Sequence, residues 1–354
     1  MNHFASIGAH LKDRGLDAML ITSEPGEFYA AAFHGEGVAL ITPNKSWYWT
    51  DSRYIESAGQ QITGAAVAMP SPGMNYRTHV QALVEELGIK KLGFEQEYMS
   101  VGAYDLWTKV VEAEFVPASD LLTNLRMVKD ADELAAMREA QRVTDEAFTE
   151  ILNFIKPGVT ESEIAARLTY IMAAKGAERN SFTPIVAAGA NGSKPHAVPG
   201  LTVIEKGQFV TMDFGCVVGG YCSDMTRTVA VGQPTDHMLK VYNTVLEAQL
   251  AAIACIKGGV KGSDVHKVAD DILVAAGFGG KMGHGLGHGV GIEIHENPRF
   301  SPFWEQPVPS GAFLSVEPGI YLPGDCGVRI EDVVMVTDDG CIDITNSPKE
   351  LIIL

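Results

Sequence analysis

Apolar residues follow two different spacings in the first 120 residues of the chain, and the two spacings alternate. A helical spacing runs through 4–14 and returns at 79–87. Short apolar runs typical of buried strands lie at 18–21, 38–42, 47–50 and 91–94. The second and third runs flank Pro43-Asn44, which predicts a hairpin. Short strands that alternate with helices predict an α/β domain.

The spacing changes after residue 130, where longer helical patterns appear. Helices are predicted over 130–156, 160–176, 235–257 and 263–276. Thr160 and Glu163 form a capping-box pattern at the start of the second helix. Apolar segments typical of strands lie between and after these helices, so this part is predicted to be α+β. The two predicted domains are residues 1–125 and 126–354.

The stretch 210–227 predicts a β-hairpin with one aspartate on each strand. Its two apolar strands meet at a Gly-Gly pair, 219–220, which suits a tight turn because both glycines tolerate positive φ. A two-residue turn there pairs Asp213 with Thr226. It also places Asp224 diagonally across from Asp213 on the same face of the hairpin.

Two carboxylates that converge on an apolar hairpin favour a cation between them. Burial of each charge is costly, and the two charges repel each other. A divalent metal is one interpretation of this pair. The alternative is a solvated edge hairpin with both aspartates directed outward, which is the common situation for an isolated pair of this kind.

Three further residues favour the metal. His288 lies in the glycine-rich stretch 282–296, where the glycine content excludes a helix and predicts close backbone approach. Glu317 ends an apolar strand at a Pro-Gly turn, and Glu331 lies in another apolar strand over 328–336. Carboxylates with one imidazole suit Mn²⁺, Co²⁺ or Zn²⁺. Five ligands are too many for one catalytic zinc and predict a pair of metal ions.

Composition and charge exclude several classes of protein. The chain has 354 residues and a formal charge of −17, which argues against nucleic acid or an anionic membrane surface as a partner. The 5 cysteines form no C-x-x-C pair, so no thiolate zinc site or disulfide framework is indicated. The sequence has neither a transmembrane-length apolar run nor a signal-peptide pattern at its start. We therefore expect a cytoplasmic protein.

The five candidate ligands occur in five short motifs whose order is informative. The motifs are MDFG, CSDMTRT, HGLGHGVGIEIHENP, SVEPGIY and GVRIEDV. Together they resemble those of the pita-bread metallopeptidases, and in particular the Xaa-Pro dipeptidase (prolidase) and aminopeptidase P branch. The segments 181–196 and 51–54 are similar to this branch as well. The resemblance implies a pita-bread catalytic domain preceded by a creatinase-like α/β domain.

The resemblance also implies roles for individual residues. Asp213 would bind one metal ion, His288 and Glu317 the other, and Asp224 and Glu331 would bridge the two. Glu317 would also shuttle a proton during catalysis, with His284 assisting. His196 and His295 would contact the substrate or the tetrahedral intermediate, and Arg299 and Arg329 would bind the substrate. For Arg329 a second role is equally open, namely neutralisation of the carboxylate cluster.

The implied activity is dinuclear metal-dependent hydrolysis of Xaa-Pro dipeptides, with Mn²⁺ as the preferred ion and Co²⁺ or Zn²⁺ as alternatives. Arg299 stands where prolidases of this branch carry an arginine for the free carboxylate of the dipeptide. The main alternative is an aminopeptidase that removes the first residue from longer Xaa-Pro peptides. A metal-free creatinase-type hydrolase and a non-catalytic peptide-binding protein are less favoured, because all five ligands are present. A homodimer is expected by analogy.

Overall fold

The computed structural model describes residues 2–354, and the chain divides into a first unit that ends at Arg126 and a second unit, Met127–Leu354. Six strands of the first unit form one mixed sheet in the order β4-β3-β2-β1-β5-β6. The strands are β1 (Ala18–Ile21), β2 (Gly37–Ile41), β3 (Ser46–Thr50), β4 (Ala66–Ala68), β5 (Lys91–Phe94) and β6 (Glu114–Pro117). The helices are α1 (Phe4–His10), α2 (Glu24–Ala31), α3 (Ile55–Gln61), α4 (Tyr76–Leu87), α5 (Val101–Thr108) and α6 (Ser119–Met127).

The predicted α/β organisation of the first unit is confirmed, including the hairpin of β2 and β3. Four of its helices, α2, α3, α5 and α6, were not predicted. Helix α2 shows the reason, because six of its eight residues are buried and no polar face alternates with an apolar one. Its start is instead marked by the side chain of Ser23, which accepts a hydrogen bond from the Gly26 amide.

The second unit contains four helices and thirteen short strands. The helices are α7 (Ala131–Ile151), α8 (Glu161–Ala174), α9 (Asp236–Cys255) and α10 (Gly262–Ala275). The strands before α9 are β7 (Arg179–Asn180), β8 (Ile185–Ala188), β9 (Gln208–Phe214), β10 (Cys216–Val218), β11 (Tyr221–Cys222) and β12 (Met225–Val231). Those after α10 are β13 (Gly287–Gly289), β14 (Glu296–Phe300), β15 (Phe313–Val316), β16 (Gly319–Tyr321), β17 (Gly327–Arg329), β18 (Asp332–Val336) and β19 (Cys341–Asp343). None of the helices in residues 2–354 has the length and apolar character needed to span a bilayer.

The four predicted helices of this unit are confirmed. The first three are shorter than their sequence patterns, and the fourth has the predicted length but begins one residue earlier. The capping box at Thr160 and Glu163 forms with both of its hydrogen bonds. The helices cover two groups of sheets with separate cores. Helices α7 and α8 pack on β8, β9 and β12, whereas α9 and α10 pack on the sheet that contains β15 and β18.

The predicted hairpin register is confirmed, but each of its strands is broken. Asp213 pairs with Thr226, and Val218 pairs with Tyr221 across two glycines of positive φ. The strands β9 and β10 separate at Gly215, where a Cβ atom would lie 2.0 Å from the carbonyl oxygen of Ser223. The two arms of the hairpin therefore approach closely at this point, and Ser223 and Asp224 lie outside both ladders.

The single apolar strand predicted over 328–336 is wrong, because the chain leaves the sheet at Ile330 and Glu331. The amide of Glu331 donates to the carbonyl of Thr226 at 3.1 Å, and the amide of Ile330 donates to Pro318 at 3.4 Å. These bonds lie outside the ladders of β17 and β18, so the pairing is interrupted. The interruption places Glu331 next to the strand that follows Asp224.

A buried arginine holds this interruption in place. The guanidinium of Arg227 is 1% exposed and donates to the carbonyls of Thr226, Glu331, Ser347 and Pro348. It also forms an ion pair with Asp332 at 2.7 Å. One side chain thus ties the C-terminal segment to the backbone of Glu331.

Arg227→Lys is expected to lower the free energy of unfolding by about 2 kcal/mol, because lysine cannot reproduce the planar set of donors and leaves buried carbonyls unpaired. Urea denaturation of the variant measures the loss. Arg142→Lys is the matched control, since Arg142 lies among exposed glutamates on α7 and its replacement should cost less than about 0.5 kcal/mol. Equal losses in the two variants would contradict the structural importance of Arg227.

Candidate active site

Two aspartates of the broken hairpin form one side of a buried acidic cluster. Asp213 is the sixth residue of β9, and Asp224 lies between β11 and β12. Both carboxylates are buried. The solvated-edge alternative is therefore wrong, because the hairpin turns its aspartates inward.

His288 lies on β13 and forms the opposite side of the cluster. Both of its neighbours in the sequence are glycines, which have no side chain. A Cβ atom on Gly287 would lie 1.9 Å from the Ser315 carbonyl, and one on Gly289 would lie 2.5 Å from the Asn297 carbonyl. The predicted close backbone approach in this stretch is confirmed. The Nδ1 atom of His288 faces the carbonyl oxygen of Gly289 at 3.1 Å, so we assign its proton there. Nε2 is then the ring nitrogen that faces the carboxylates.

The Nε2 atom of His288 lies 3.3 Å from the nearer oxygen of Glu317 and 3.6 Å from that of Asp224. Glu317 follows β15, and its carboxylate accepts from the Ser315 hydroxyl at 3.3 Å. Glu331, between β17 and β18, accepts from the hydroxyl of Thr226 at 2.7 Å. The structure thus brings the five predicted ligands together, although only Asp213 and His288 lie within strands.

The acidic cluster would be unstable if all four of its carboxylates were ionised and no cation were bound. Burial, and then repulsion from Glu331 and Asp213, raises the pKa of Asp224 well above its usual range. Burial and the charges of Glu317 and Asp213 raise the pKa of Glu331 in the same way. Burial also raises the pKa of Asp213, which Arg329 offsets in part. Without cations, burial and mutual repulsion therefore favour the protonated forms of these three carboxyl groups.

A second observation also indicates that the donor set fits divalent cations. Within residues 2–354, three buried carboxylate oxygens have no hydrogen-bond partner, namely Oδ1 of Asp213, Oδ1 of Asp224 and Oε1 of Glu331. Buried polar atoms rarely remain unpaired in folded proteins. Ligand atoms of Asp224, His288 and Glu331 lie within 4.8 Å of one another, a separation that a metal ion can bridge.

Metal-free Asp224→Asn protein is expected to be more stable than the metal-free wild type, by a margin that grows with pH. The raised pKa means that folded wild type keeps a proton which the unfolded chain loses above about pH 4. Stability is lost as the pH rises from there toward the folded-state pKa, and asparagine removes this loss. Thermal unfolding in chelator from about pH 4 to about pH 8 measures the margin. A margin independent of pH would contradict the assignment.

A hydrogen-bond network behind the cluster involves two residues whose roles the sequence did not indicate, Tyr321 and Thr226. The guanidinium of Arg329 donates to the Tyr321 hydroxyl at 2.9 Å and to the Thr226 hydroxyl at 3.0 Å, and it pairs with Asp213. The Tyr321 hydroxyl in turn lies 2.9 Å from Nε2 of His284. Arg329 is buried with its donors engaged by the protein, so the geometry favours its neutralising role over a contact with substrate.

The cluster opens into a cavity of about 500 Å³. His196, His284, His295, Arg299 and Arg329 line this cavity together with the five acidic-cluster residues. The ring of His295 lies edge-on to that of His288, with 4.4 Å between centroids. Burial, and then the proximity of His288, lowers the pKa of His295 to about 4, so the ring is neutral at neutral pH.

Arg299 lies on β14 directly opposite His288 on β13. Paired residues on neighbouring strands project to the same face, so Arg299 stands beside the metal-ligand cluster. The cavity wall also contains apolar residues from three loops, namely Phe182, Pro184, Pro195, Val198, Pro199 and Ile294. The site therefore combines an acidic cluster, a cationic side chain and an apolar wall.

A larger cavity of about 950 Å³ lies within the first unit. Two of its carboxylates, Glu36 and Asp51, are both paired with Arg53. Asp51, Arg53 and Tyr54 of the stretch 51–54, which contributed to the resemblance, thus line this cavity. The second-unit cavity carries the unpaired buried carboxylate oxygens and is the candidate active site.

The chain is similar to known proteins over nearly its whole length. Residues 135–338 match metallopeptidase family M24, and residues 4–128 match the creatinase/prolidase N-terminal domain. The uncharacterized peptidase YqhT of Bacillus subtilis is 43% identical over 96% of each chain. The structure of Xaa-Pro dipeptidase from Bacillus anthracis is 42% identical and superposes with a TM-score of 0.95 over 99% of each chain.

A third relative is the X-Pro aminopeptidase from Thermotoga maritima. Its structure is 35% identical and superposes with a TM-score of 0.91 over 96% of this chain and 98% of that one. The α+β second unit thus has the pita-bread fold of a peptidase, and the first unit has the creatinase-type fold. The chain belongs to metallopeptidase family M24.

Proposed function

We propose that the protein hydrolyses the Xaa-Pro bond of dipeptides with two divalent metal ions. The observation that carries this proposal is the position of Arg299, which faces the same cavity as the acidic cluster and lies opposite His288. A guanidinium on the residue opposite His288 can pair with the free carboxylate of a two-residue substrate. The apolar wall with Pro184 and Pro195 suits the ring of proline. Relatives named Xaa-Pro dipeptidase support this choice.

Asp213, Asp224, His288, Glu317 and Glu331 would hold the two ions, with Asp224 and Glu331 shared between them. The shared role suits these two because they have the most strongly raised carboxyl pKa values of the cluster. When bound, the ions acidify a water molecule and polarise the scissile carbonyl. Mn²⁺ is the ion we assign, because four carboxylates and one imidazole form a predominantly hard donor set.

Glu317 is the residue we assign to proton transfer from the attacking water to the leaving proline nitrogen. Burial raises the pKa of Glu317, but the contact with His288 and the positive charge of Arg329 outweigh burial and lower that pKa to about 2. The carboxylate is therefore ionised and ready to accept a proton. His295, neutral beside His288, and His196 on the cavity wall would donate hydrogen bonds to the substrate as the carbonyl oxygen gains charge.

The alternative function is that of an aminopeptidase acting on longer Xaa-Pro peptides. The likeness to the X-Pro aminopeptidase of Thermotoga maritima favours it. The experiment that separates the two functions compares proline release from an Xaa-Pro dipeptide with cleavage of the matching Xaa-Pro-Yaa tripeptide. Metal-stripped enzyme is resupplied with Mn²⁺, Co²⁺ or Zn²⁺ in separate reactions. We expect the dipeptide to be preferred and Mn²⁺ to restore most activity, whereas preference for the tripeptide would establish the aminopeptidase.

The proposed assembly is a homodimer, as in the initial prediction. Sedimentation equilibrium of the full chain measures its mass directly. A single species of twice the 38.0 kDa chain mass is expected.

A further inference from the structure

A second cluster of metal-ligating side chains lies outside the acidic cluster. His237 on α9 and Asp325 with Cys326 in the turn between β16 and β17 have ligand atoms within 4.8 Å of one another. The Nε2 atom of His237 is 2.9 Å from Oδ2 of Asp325. The cluster shares no residue with the active-site cavity.

The local backbone holds the three side chains together. The amide of Asp325 donates to the carbonyl of Leu322 at 3.0 Å, and the amide of Leu322 donates to the carbonyl of Cys326 at 2.9 Å. These bonds close a tight turn that presents two adjacent residues to α9. His237 is the second residue of that helix, which begins where Thr235 caps the amide of Met238. The ligands therefore come from two anchored elements.

The three ligands differ in burial in a way that suits an ion at the protein surface. Cys326 is 3% exposed and packs in the core between α9 and the β16–β17 hairpin. The side chains of His237 and Asp325 are each about half exposed. The sulfur of Cys326 thus lies at the buried end of the cluster. The imidazole of His237 and the carboxylate of Asp325 lie at the end that solvent reaches.

We propose that His237, Asp325 and Cys326 bind a third metal ion of the thiophilic, borderline class, such as Zn²⁺. One sulfur, one imidazole and one carboxylate are the donors that Zn²⁺ takes in tetrahedral sites, and water completes the fourth position. Mg²⁺ and Ca²⁺ are excluded because they take oxygen donors almost entirely. The proposal does not depend on the proposed peptidase activity.

The position of this site gives it a structural role. The β16–β17 hairpin carries Tyr321 on one strand and Arg329 on the other, and both belong to the network behind the acidic cluster. An ion bound at the turn links this hairpin to α9. Binding is therefore expected to stabilise the fold by mass action, independently of the active-site ions.

Cobalt titration of the metal-stripped full chain tests the proposal, because thiolate bound to Co²⁺ produces a near-ultraviolet charge-transfer band. None of the five acidic-cluster ligands contains sulfur, so ions bound there give no such band. We expect wild type to develop the band, Zn²⁺ to abolish it by displacement, and Mg²⁺ to leave it unchanged. Cys341→Ser, at a half-buried cysteine, is the matched control and should retain the band.

Cys326→Ser should lose the band while the visible cobalt spectrum of the active site remains. His237→Ala and Asp325→Asn alter exposed side chains, so they report on the site even if the serine variant folds poorly. Each should weaken the cobalt affinity measured from the band by about tenfold or more. Absence of the band at saturating Co²⁺, or its persistence in Cys326→Ser, would show that His237 and Asp325 form only an ion pair.

Discussion

Asp224→Asn is expected to lower kcat/KM for an Xaa-Pro dipeptide by about 10³-fold and to reduce the bound metal from the proposed two ions per chain to one or none. Asparagine keeps the shape of the side chain but removes a buried anionic ligand. Loss of metal activation and carbonyl polarisation corresponds to about 4 kcal/mol of transition-state stabilisation. Elemental analysis and steady-state kinetics on the same preparation measure both effects.

Glu305→Gln provides the control for that substitution. Glu305 is an exposed carboxylate paired with Lys261, and its loss should change neither metal content nor kinetics. Added Mn²⁺ should raise the melting temperature of wild type and of the control much more than that of Asp224→Asn. Full activity with two bound ions in Asp224→Asn would remove Asp224 from the metal-ligand set.

Arg299→Met is expected to lower kcat/KM for the dipeptide by about 10²-fold, while cleavage of the matching dipeptide amide changes only slightly. The guanidinium would form paired, charge-assisted hydrogen bonds with the substrate carboxylate, worth about 3 kcal/mol together. The dipeptide amide lacks that charge, so kcat/KM for its cleavage should depend little on Arg299. Steady-state kinetics are measured with both substrates on wild type and on Arg299→Met. The four values of kcat/KM form a thermodynamic cycle that isolates the interaction between the guanidinium and the carboxylate.

Arg179→Met is the control for Arg299, since Arg179 is an exposed arginine on β7 of the same unit. It should leave the ratio of the two substrates unchanged. If Arg299→Met lowers dipeptide and amide cleavage equally, Arg299 has a structural role and the aminopeptidase becomes the favoured function. A change in the metal content of Arg299→Met would point to the same conclusion.

Local sequence patterns predicted the elements that depend on neighbouring residues. The Gly-Gly pair at 219–220 predicted the turn and the register between Asp213 and Thr226, because a two-residue turn leaves one pairing. The capping box at Thr160 and Glu163 predicted a helix start for the same reason. Helix α2 was missed because burial on all sides removes the amphipathic spacing that identifies a helix.

The sequence by itself determined which residue types could serve as ligands, the order of their motifs and the register of the hairpin. Tertiary structure decided the breaks that turn these residues toward one another. The break at Gly215 involves a close backbone approach to Ser223 across the hairpin, and the break at Glu331 involves a backbone hydrogen bond to Thr226, which is distant in the chain. It also brought Arg329 into contact with Asp213, Thr226 and Tyr321, which lie on three separate strands. Hydrogen bonds between segments far apart in the chain leave no periodic pattern in the sequence, so only the folded chain shows them.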